Sequence, residues 1–245
     1  MKSRKKGVIV SPRAKRVSKY QDFVTIVLLH DQPAFKLKNK TSPVLINLDK
    51  FTLLEYQLKI IHKKFKNYEI IICTGFLCDK LNLWLKKKYK KYNIRIIENT
   101  HFTEYNSCES ARLCLQNTNN DKILIIDGKI LFDDKIFNNL SLEEPFAICC
   151  KDKNETLEIG INTDQNRNIS HFSYGARYTW SEILFLCGNK LISDLERTLN
   201  QDSFKKKFLF EAINSIATKH IIRKTVKSSK VLKIQNIKTL ENIRK

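Results

Sequence analysis

From residue 23 onward, apolar runs of strand length alternate with stretches whose apolar residues recur at helical spacing. This alternation is the strongest constraint on what the chain can fold into. Residues 23–29 are continuously apolar and β-branched, as expected of a strand buried on both faces of a parallel sheet. Thr52 and Glu55 have the spacing of a capping box, after which Leu54, Leu58, Ile61 and Phe65 share one helical face. Residues 70–74, 94–97 and 123–126 predict three more buried strands, separated by helices over 81–88 and 107–115. Asp133 or Asp134 caps a short helix ending near residue 140. After Pro145 the segments become shorter and β-rich, over 146–150, 157–162, 169–172 and 180–186. A helix starting at Asp202 carries Phe204, Phe208, Ala212, Ile213 and Ile216, and a strand over 231–234 and a helix over 236–243 follow. Strands alternating with helices predict an α/β chain with a mixed, mostly parallel central sheet covered by helices on both faces.

A chain of 245 residues suits one such domain, placed at residues 23–245. Residues 1–22 form a separate basic arm. Eight of the first 21 residues are Lys or Arg and none is acidic, a composition too polar to offset its ordering entropy, so the arm alone is expected to be disordered. The same acid-free stretch also fits an organellar transit peptide or a solubilising tail. Over the whole chain, 45 basic residues against 25 acidic ones give a formal charge of +20, which favours polyanionic partners and says nothing of the fold. A lysine-rich surface set by codon bias accounts for the same numbers. The seven cysteines include no C-x-x-C pair, and Cys73, Cys114, Cys149, Cys150 and Cys187 lie in apolar runs. They are expected as buried free thiols in a reducing, intracellular compartment, with no structural zinc. No apolar run approaches the ~18 residues of a membrane span.

Seven segments occur in an informative order: IVLLHDQPAFKL (26–37), TLLEYQL (52–58), IIICTGF (70–76), NTHFTEYNSCES (99–110), ILIIDGKILFDDKIF (123–137), FEAIN (210–214) and VLKIQNIKTLENIR (231–244). Their order and spacing resemble those of the sugar-phosphate and phosphocholine nucleotidyltransferases, over residues 24–245. The resemblance implies a single GT-A-like (Rossmann-like) domain. It also implies a cleft in which a glycine-rich loop, a lysine and two metal-binding aspartates hold an NTP and Mg²⁺.

Most of those positions are changed here. In the glycine-rich loop the resemblance places Asp31, Gln32, Pro33, Ala34, Phe35 and Lys36. Side chains at the glycine places oppose positive φ and close backbone approach, Pro33 removes an amide donor, and Lys36 keeps a cation without the bidentate fork of Arg. The family's P-K pair aligns with Pro43-Val44. Its strand-end aspartate aligns with Lys129 in Asp127-Gly128-Lys129, and its second metal aspartate with Gln235. A protonated ammonium cannot coordinate a divalent cation, and without Mg²⁺ nucleotidyl transfer loses its main electrostatic support. Asp127 lies on the same strand face as position 129 and is the nearest substitute ligand. Alternatively, Lys129 supplies the positive charge that the metal would bring.

Thr74 and Gly75 match the family beside the nucleotide, as do Asn106 and Ser110 on the acceptor side, where both also suit helix capping. Glu211 stands where the family often has Asp.

The leading expectation is a nucleotidyltransferase-like protein without catalysis, with no cofactor and no metal, serving as a structural or binding component of a nucleic-acid-containing assembly. Its phosphate contacts would be non-specific. They would come from Arg4, Lys5, Lys6, Arg13, Lys15 and Arg16 of the arm, from Lys86, Lys87, Lys88, Lys90 and Lys91, and from Lys205, Lys206 and Lys207. No aromatic-interleaved nucleic-acid motif is expected. Other proteins of the assembly are the alternative partners. The second expectation is an active, divergent cytidylyl- or sugar-phosphate nucleotidyltransferase that uses Mg²⁺ with Lys36, Asp127 and Glu211.

Overall fold

The computed structural model describes residues 22–30, 43–150, 158–227 and 231–234. The first half builds β1 (Val24–His30), α1 (Leu53–Lys64), β2 (Tyr68–Thr74), α2 (Cys78–Lys88), β3 (Ile94–Glu98), α3 (Ser107–Gln116) and β4 (Lys122–Asp127). There follow β5 (Ile130–Phe132), a 3-10 turn (Asp134–Phe137), β6 (Phe146–Cys150), β7 (Ile159–Thr163), β8 (Ile169–Tyr174) and β9 (Tyr178–Cys187). The described chain ends with α4 (Asn189–Leu199), a 3-10 turn (Asp202–Phe204), α5 (Leu209–Ala217), β10 (Arg223–Lys227) and β11 (Val231–Lys233).

The main sheet runs β10-β6-β9-β4-β1-β2-β3, with β7 pairing to β9 and β8 to β7. Parallel pairing joins β4, β1, β2 and β3, and also β10 with β6. The long β9 is inserted antiparallel between β4 and β6. Every residue of β1 is buried. Its side chains alternate between two apolar layers, as the pleat requires. Val24, Ile26 and Leu28 pack with Leu54, Leu58 and Ile61 of α1 and Leu81 of α2. Val27 and Leu29 pack on the other face with Cys108 and Ala111 of α3, Leu195 of α4 and Ile213 of α5. Helices therefore cover both faces.

Several local expectations hold. The Thr52 hydroxyl accepts from the Glu55 amide at 3.3 Å, and Glu55 Oε2 accepts from the Thr52 amide at 2.7 Å, closing the capping box. Burial alone would raise the Glu55 pKa, but Lys88 and the Thr52 amide and hydroxyl hold it below the usual range. Asp133 caps the 3-10 turn by accepting from the Lys135 amide at 2.9 Å. Other expectations need correction. The helix expected from Asp202 is split into a 3-10 turn and α5, with Phe208 as the N-cap residue, because Glu211 Oε2 accepts from the Phe208 amide at 2.8 Å. Helix α4 and strands β5 and β10 are additional elements. All seven cysteines are free thiols, and Cys187 is only partly buried. No helix among the described residues is long and apolar enough to cross a membrane.

Candidate functional site

At the carboxyl ends of β1 and β4, where open α/β sheets place their ligands, a cavity of about 280 Å³ opens. Leu29, Ile125, Leu184 and Leu209 line its apolar part, and Tyr174, Trp180, Phe208 and Phe210 its aromatic part. Asp127, Lys129, Glu182 and Lys233 supply its charges. Tyr174 and Phe210 meet edge to face at 6.0 Å, and Phe208 stacks on Phe210 at 6.1 Å.

His30 ends β1 and is buried beneath the β4–β5 turn. Its Nε2 lies 3.0 Å from Gln57 Oε1, while Gln57 Nε2 donates to the carbonyls of Gly128 (3.3 Å) and Ile130 (2.9 Å). With the amide nitrogen so committed, Gln57 Oε1 can only accept, and His30 Nε2 must carry the proton. Burial depresses the His30 pKa to about 4, against the raising effects of Asp127 and Gln57, so the ring is neutral at pH 7. A Cβ at Gly128 would come within 2.1 Å of His30 Nδ1, so the glycine makes room for the imidazole. The Gly128 amide continues the turn by donating to the Leu29 carbonyl at 2.8 Å.

Glu182 is a site residue that sequence reasoning missed. Ile148 pairs with Ile183, but Cys149 pairs with Trp180, so Ser181 and Glu182 bulge out of β9. Glu182 has φ +58, a left-handed conformation that a non-glycine residue adopts only when its surroundings impose it. Its side chain, 12% exposed, forms an ion pair through Oε1 with Lys233 of β11. Its Oε2 is buried without a hydrogen-bond partner. Burial, reinforced by the nearby charge of Asp127, pushes the Glu182 pKa up to about 7 against the pull of Lys233 and Lys129. Burial would lower the Lys233 pKa, but Glu182, helped by Asp127 and Glu158, holds it above the usual value. No local signal in S-E-I-L marks the bulge, which shows only in the register of β9 against β6.

At the expected metal position, Asp127 Oδ1 accepts from the Lys129 amide at 2.7 Å, a local turn bond, and Lys129 lines the cavity. Glu182 is taken up by Lys233. Among the described residues no group of three His, Cys, Asp or Glu side chains is placed to hold a metal ion. At the one family metal position that the structure describes, Lys129 puts an ammonium group where a hard cation needs oxygen.

Of the other residues singled out from sequence, Asn106 lines the cavity, and its Nδ2 donates to the Lys206 carbonyl at 2.6 Å instead of capping α3. Ser110 is buried and accepts from Asn99 Nδ2 at 3.1 Å. Thr74 is buried at the end of β2, with its hydroxyl unpartnered. A Cβ at Gly75 would come within 2.4 Å of Phe102, so this glycine admits the ring. Glu211 serves the N-terminus of α5. Lys205, Lys206 and Lys207 border the cleft through backbone bonds to Asn106 and Cys108. Lys205 pairs with Asp202 at 2.8 Å, and Lys207 lies 4.2 Å from the Phe204 ring centre. Lys86, Lys87, Lys88, Lys90 and Lys91 sit elsewhere, at the end of α2 and in the turn after it. The arm residues Arg4, Lys5, Lys6, Arg13, Lys15 and Arg16, the loop residues Asp31, Gln32, Ala34 and Lys36, and Gln235 lie outside the described residues.

Comparison with known proteins bears on the fold. Residues 47–155 match a family described as a domain of unknown function, DUF6564. A stretch of 116 residues is 27% identical to the choline-phosphate cytidylyltransferase of Streptococcus pneumoniae (strain ATCC BAA-255 / R6), covering 47% of this chain and 48% of that protein. The match thus spans about half the length of the curated relative. Among solved structures, the CTP:phosphocholine cytidylyltransferase from Streptococcus pneumoniae superposes with a TM-score of 0.76 at 15% identity, over 90% of this chain and 97% of that one. The inositol-1-phosphate CTP transferase from T. maritima gives 0.73 at 13% identity, over 90% and 96%. A putative glucose-1-phosphate thymidylyltransferase from Bacillus anthracis gives 0.73 at 14%, over 90% and 94%. The chain has the fold of these nucleotidyltransferases, a mixed α/β domain with a central sheet flanked by helices.

Proposed function

We propose that this chain keeps the nucleotidyltransferase fold without nucleotidyl transfer, and acts as a binding component of a nucleic-acid-containing assembly through its basic surface. One observation carries the loss of catalysis: Lys129 and Lys233 line the cleft, Glu182 is ion-paired with Lys233, and Asp127 is tied into a turn by the Lys129 backbone amide. A cleft with one carboxylate paired to a lysine, the other held in a turn and a lysine at the expected metal position is poorly suited to organise a metal–triphosphate complex. The +20 charge supports the partner class, since phosphate-driven association needs unpaired cations and no base-reading motif.

The test has two parts. Incubation with each NTP, Mg²⁺ and a panel of phosphorylated acceptors is expected to release no pyrophosphate above background. Binding to oligonucleotides is expected to weaken steeply between low and moderate salt. An active, divergent nucleotidyltransferase is the second reading, favoured by one observation: Asp127 and Glu182 are near enough for one to raise the other's pKa. Pyrophosphate release that Asp127→Asn abolishes would establish this second reading in place of the first.

A further inference from the structure

Away from the cleft, the end of α2 and the edge strand β3 enclose a surface that the cleft chemistry does not use. The segment Lys86-Lys87-Lys88-Tyr89-Lys90-Lys91-Tyr92 finishes the helix and turns into β3. Contrary to the expectation from sequence, this is a basic run interleaved with aromatics, and folding brings further rings to it. Tyr92 stacks on His62 of α1, centroids 4.0 Å apart and planes 16° from parallel. Tyr89 lies 5.5 Å from Tyr92 and 5.3 Å from Trp84. Burial lowers the His62 pKa, so at neutral pH the imidazole is an uncharged ring beneath Tyr92. Tyr92 is nevertheless 44% exposed, so part of its ring meets solvent. A hollow of about 190 Å³ runs beside it, lined by Asn82, Lys86, Tyr89, Lys90, Tyr92 and Ile94 among others.

Of the five lysines around this platform, four form no ion pair among the described residues. Lys88 is held by Glu55 and lies 5.7 Å from the Trp84 ring centre. Lys86, Lys87, Lys90 and Lys91 are exposed and form no ion pair among the described residues. In part these lysines complement the carboxyl end of α2, where cations are favoured. That role accounts for the last helical turn only. It leaves Lys90 and Lys91, placed beyond the helix and next to an open ring, without an explanation.

We propose that this surface binds single-stranded nucleic acid, with a base stacked on the open face of Tyr92 and the flanking phosphates held by Lys86, Lys87, Lys90 and Lys91. A single strand offers both things the surface asks for, an unstacked base face and closely spaced phosphates. Bases of a duplex are stacked within it and cannot reach Tyr92. The rigid His62–Tyr92 pair also makes stacking inexpensive in side-chain entropy. The inference rests on the nucleic-acid reading above and narrows it to one site and one form of the partner.

Fluorescence anisotropy of the full chain with a labelled 12-mer single strand, the matching duplex, and vesicles containing phosphatidylserine tests it. The single strand is expected to bind more tightly than the duplex. Tyr92→Ala should weaken it roughly 5- to 150-fold, the equivalent of about 1–3 kcal/mol per stacked base. Tyr92→Phe should retain wild-type affinity. Lys90→Gln with Lys91→Gln should weaken binding and flatten the salt dependence, by about 0.7 in log–log slope for each phosphate no longer neutralised. A thermal melt of each variant controls for folding, and the lysine pair, being fully on the surface, provides a test independent of the tyrosine. Wild-type affinity in both Tyr92→Ala and the double lysine variant overturns this site while leaving nucleic-acid binding elsewhere on the chain intact. Equal affinity for duplex and single strand overturns the stacking. Binding to vesicles but to neither oligonucleotide overturns both this inference and the broader reading.

Discussion

Glu182 shows how a single buried carboxylate ties the cleft to solution pH. Burial raises its pKa from the ordinary glutamate value near 4.5 to about 7. Between those two values the folded state retains a proton that the unfolded chain has released, so stability falls as pH rises through that window. The expected loss is on the order of 1–3 kcal/mol. Glu182→Gln, which keeps shape and removes titration, should flatten the curve over that interval. His30 acts in the opposite sense, since burial holds it neutral to about 4 and its contribution is lost as pH falls below 6.5. That slope is common to both proteins, so the difference between their melting curves at several pH values isolates Glu182. Parallel curves would show that Glu182 is already ionised in the fold. At this scale the sequence was least legible. The D-G-K run drew attention to Lys129, which lines the cavity, yet Gly128 is explained by the imidazole pressed against it, a contact between residues nearly a hundred positions apart.

At the scale of elements, legibility followed burial. Strand β1 is buried along its whole length and stands out from sequence alone, as does α1 with its capping box. Helix α4 was missed, although Leu191, Ile192, Leu195 and Leu199 recur at helical spacing, because it follows β9 directly with only Gly188 between them. Strands β5 and β10 are short, and β10, Arg-Lys-Thr-Val-Lys, has no apolar run to announce it; only pairing with β6 makes it a strand. Helix α4 is held by its packing against the shared core, not by its own propensity. Leu195→Ala, at a fully buried position, should therefore cost about 2–5 kcal/mol. A urea titration reads this as a lowered midpoint with an unchanged slope. A shift below about 0.5 kcal/mol would mean that α4 adds little to the core.

Over the whole molecule the excess of 20 positive charges dominates. The described ion pairs are mostly at the surface, and pairs such as Lys63 with Asp134 or Arg223 with Glu144 contribute little. The remaining cations repel one another. Raising the ionic strength from 0.01 to 0.15 M shortens the Debye length from about 30 to about 8 Å, which should stabilise the fold. We expect the melting temperature to rise by roughly 2–4 °C, equivalent to about 1 kcal/mol for a chain of this size. A fall over the same range would mean that attractive pairs outweigh the repulsion. The same added salt should weaken oligonucleotide binding, so stability and affinity are predicted to move in opposite directions.

Neither apolar layer depends on the cleft's charged groups. Asp127, Lys129 and Lys233 hang from strand ends and Glu182 from a bulge, and none of the four belongs to a core cluster. Changing these side chains therefore leaves the apolar contacts that hold the sheet in place, even where, as at Glu182, an ion pair is lost. A scaffold divided in this way can shed one chemistry and take up another while its interior stays unchanged.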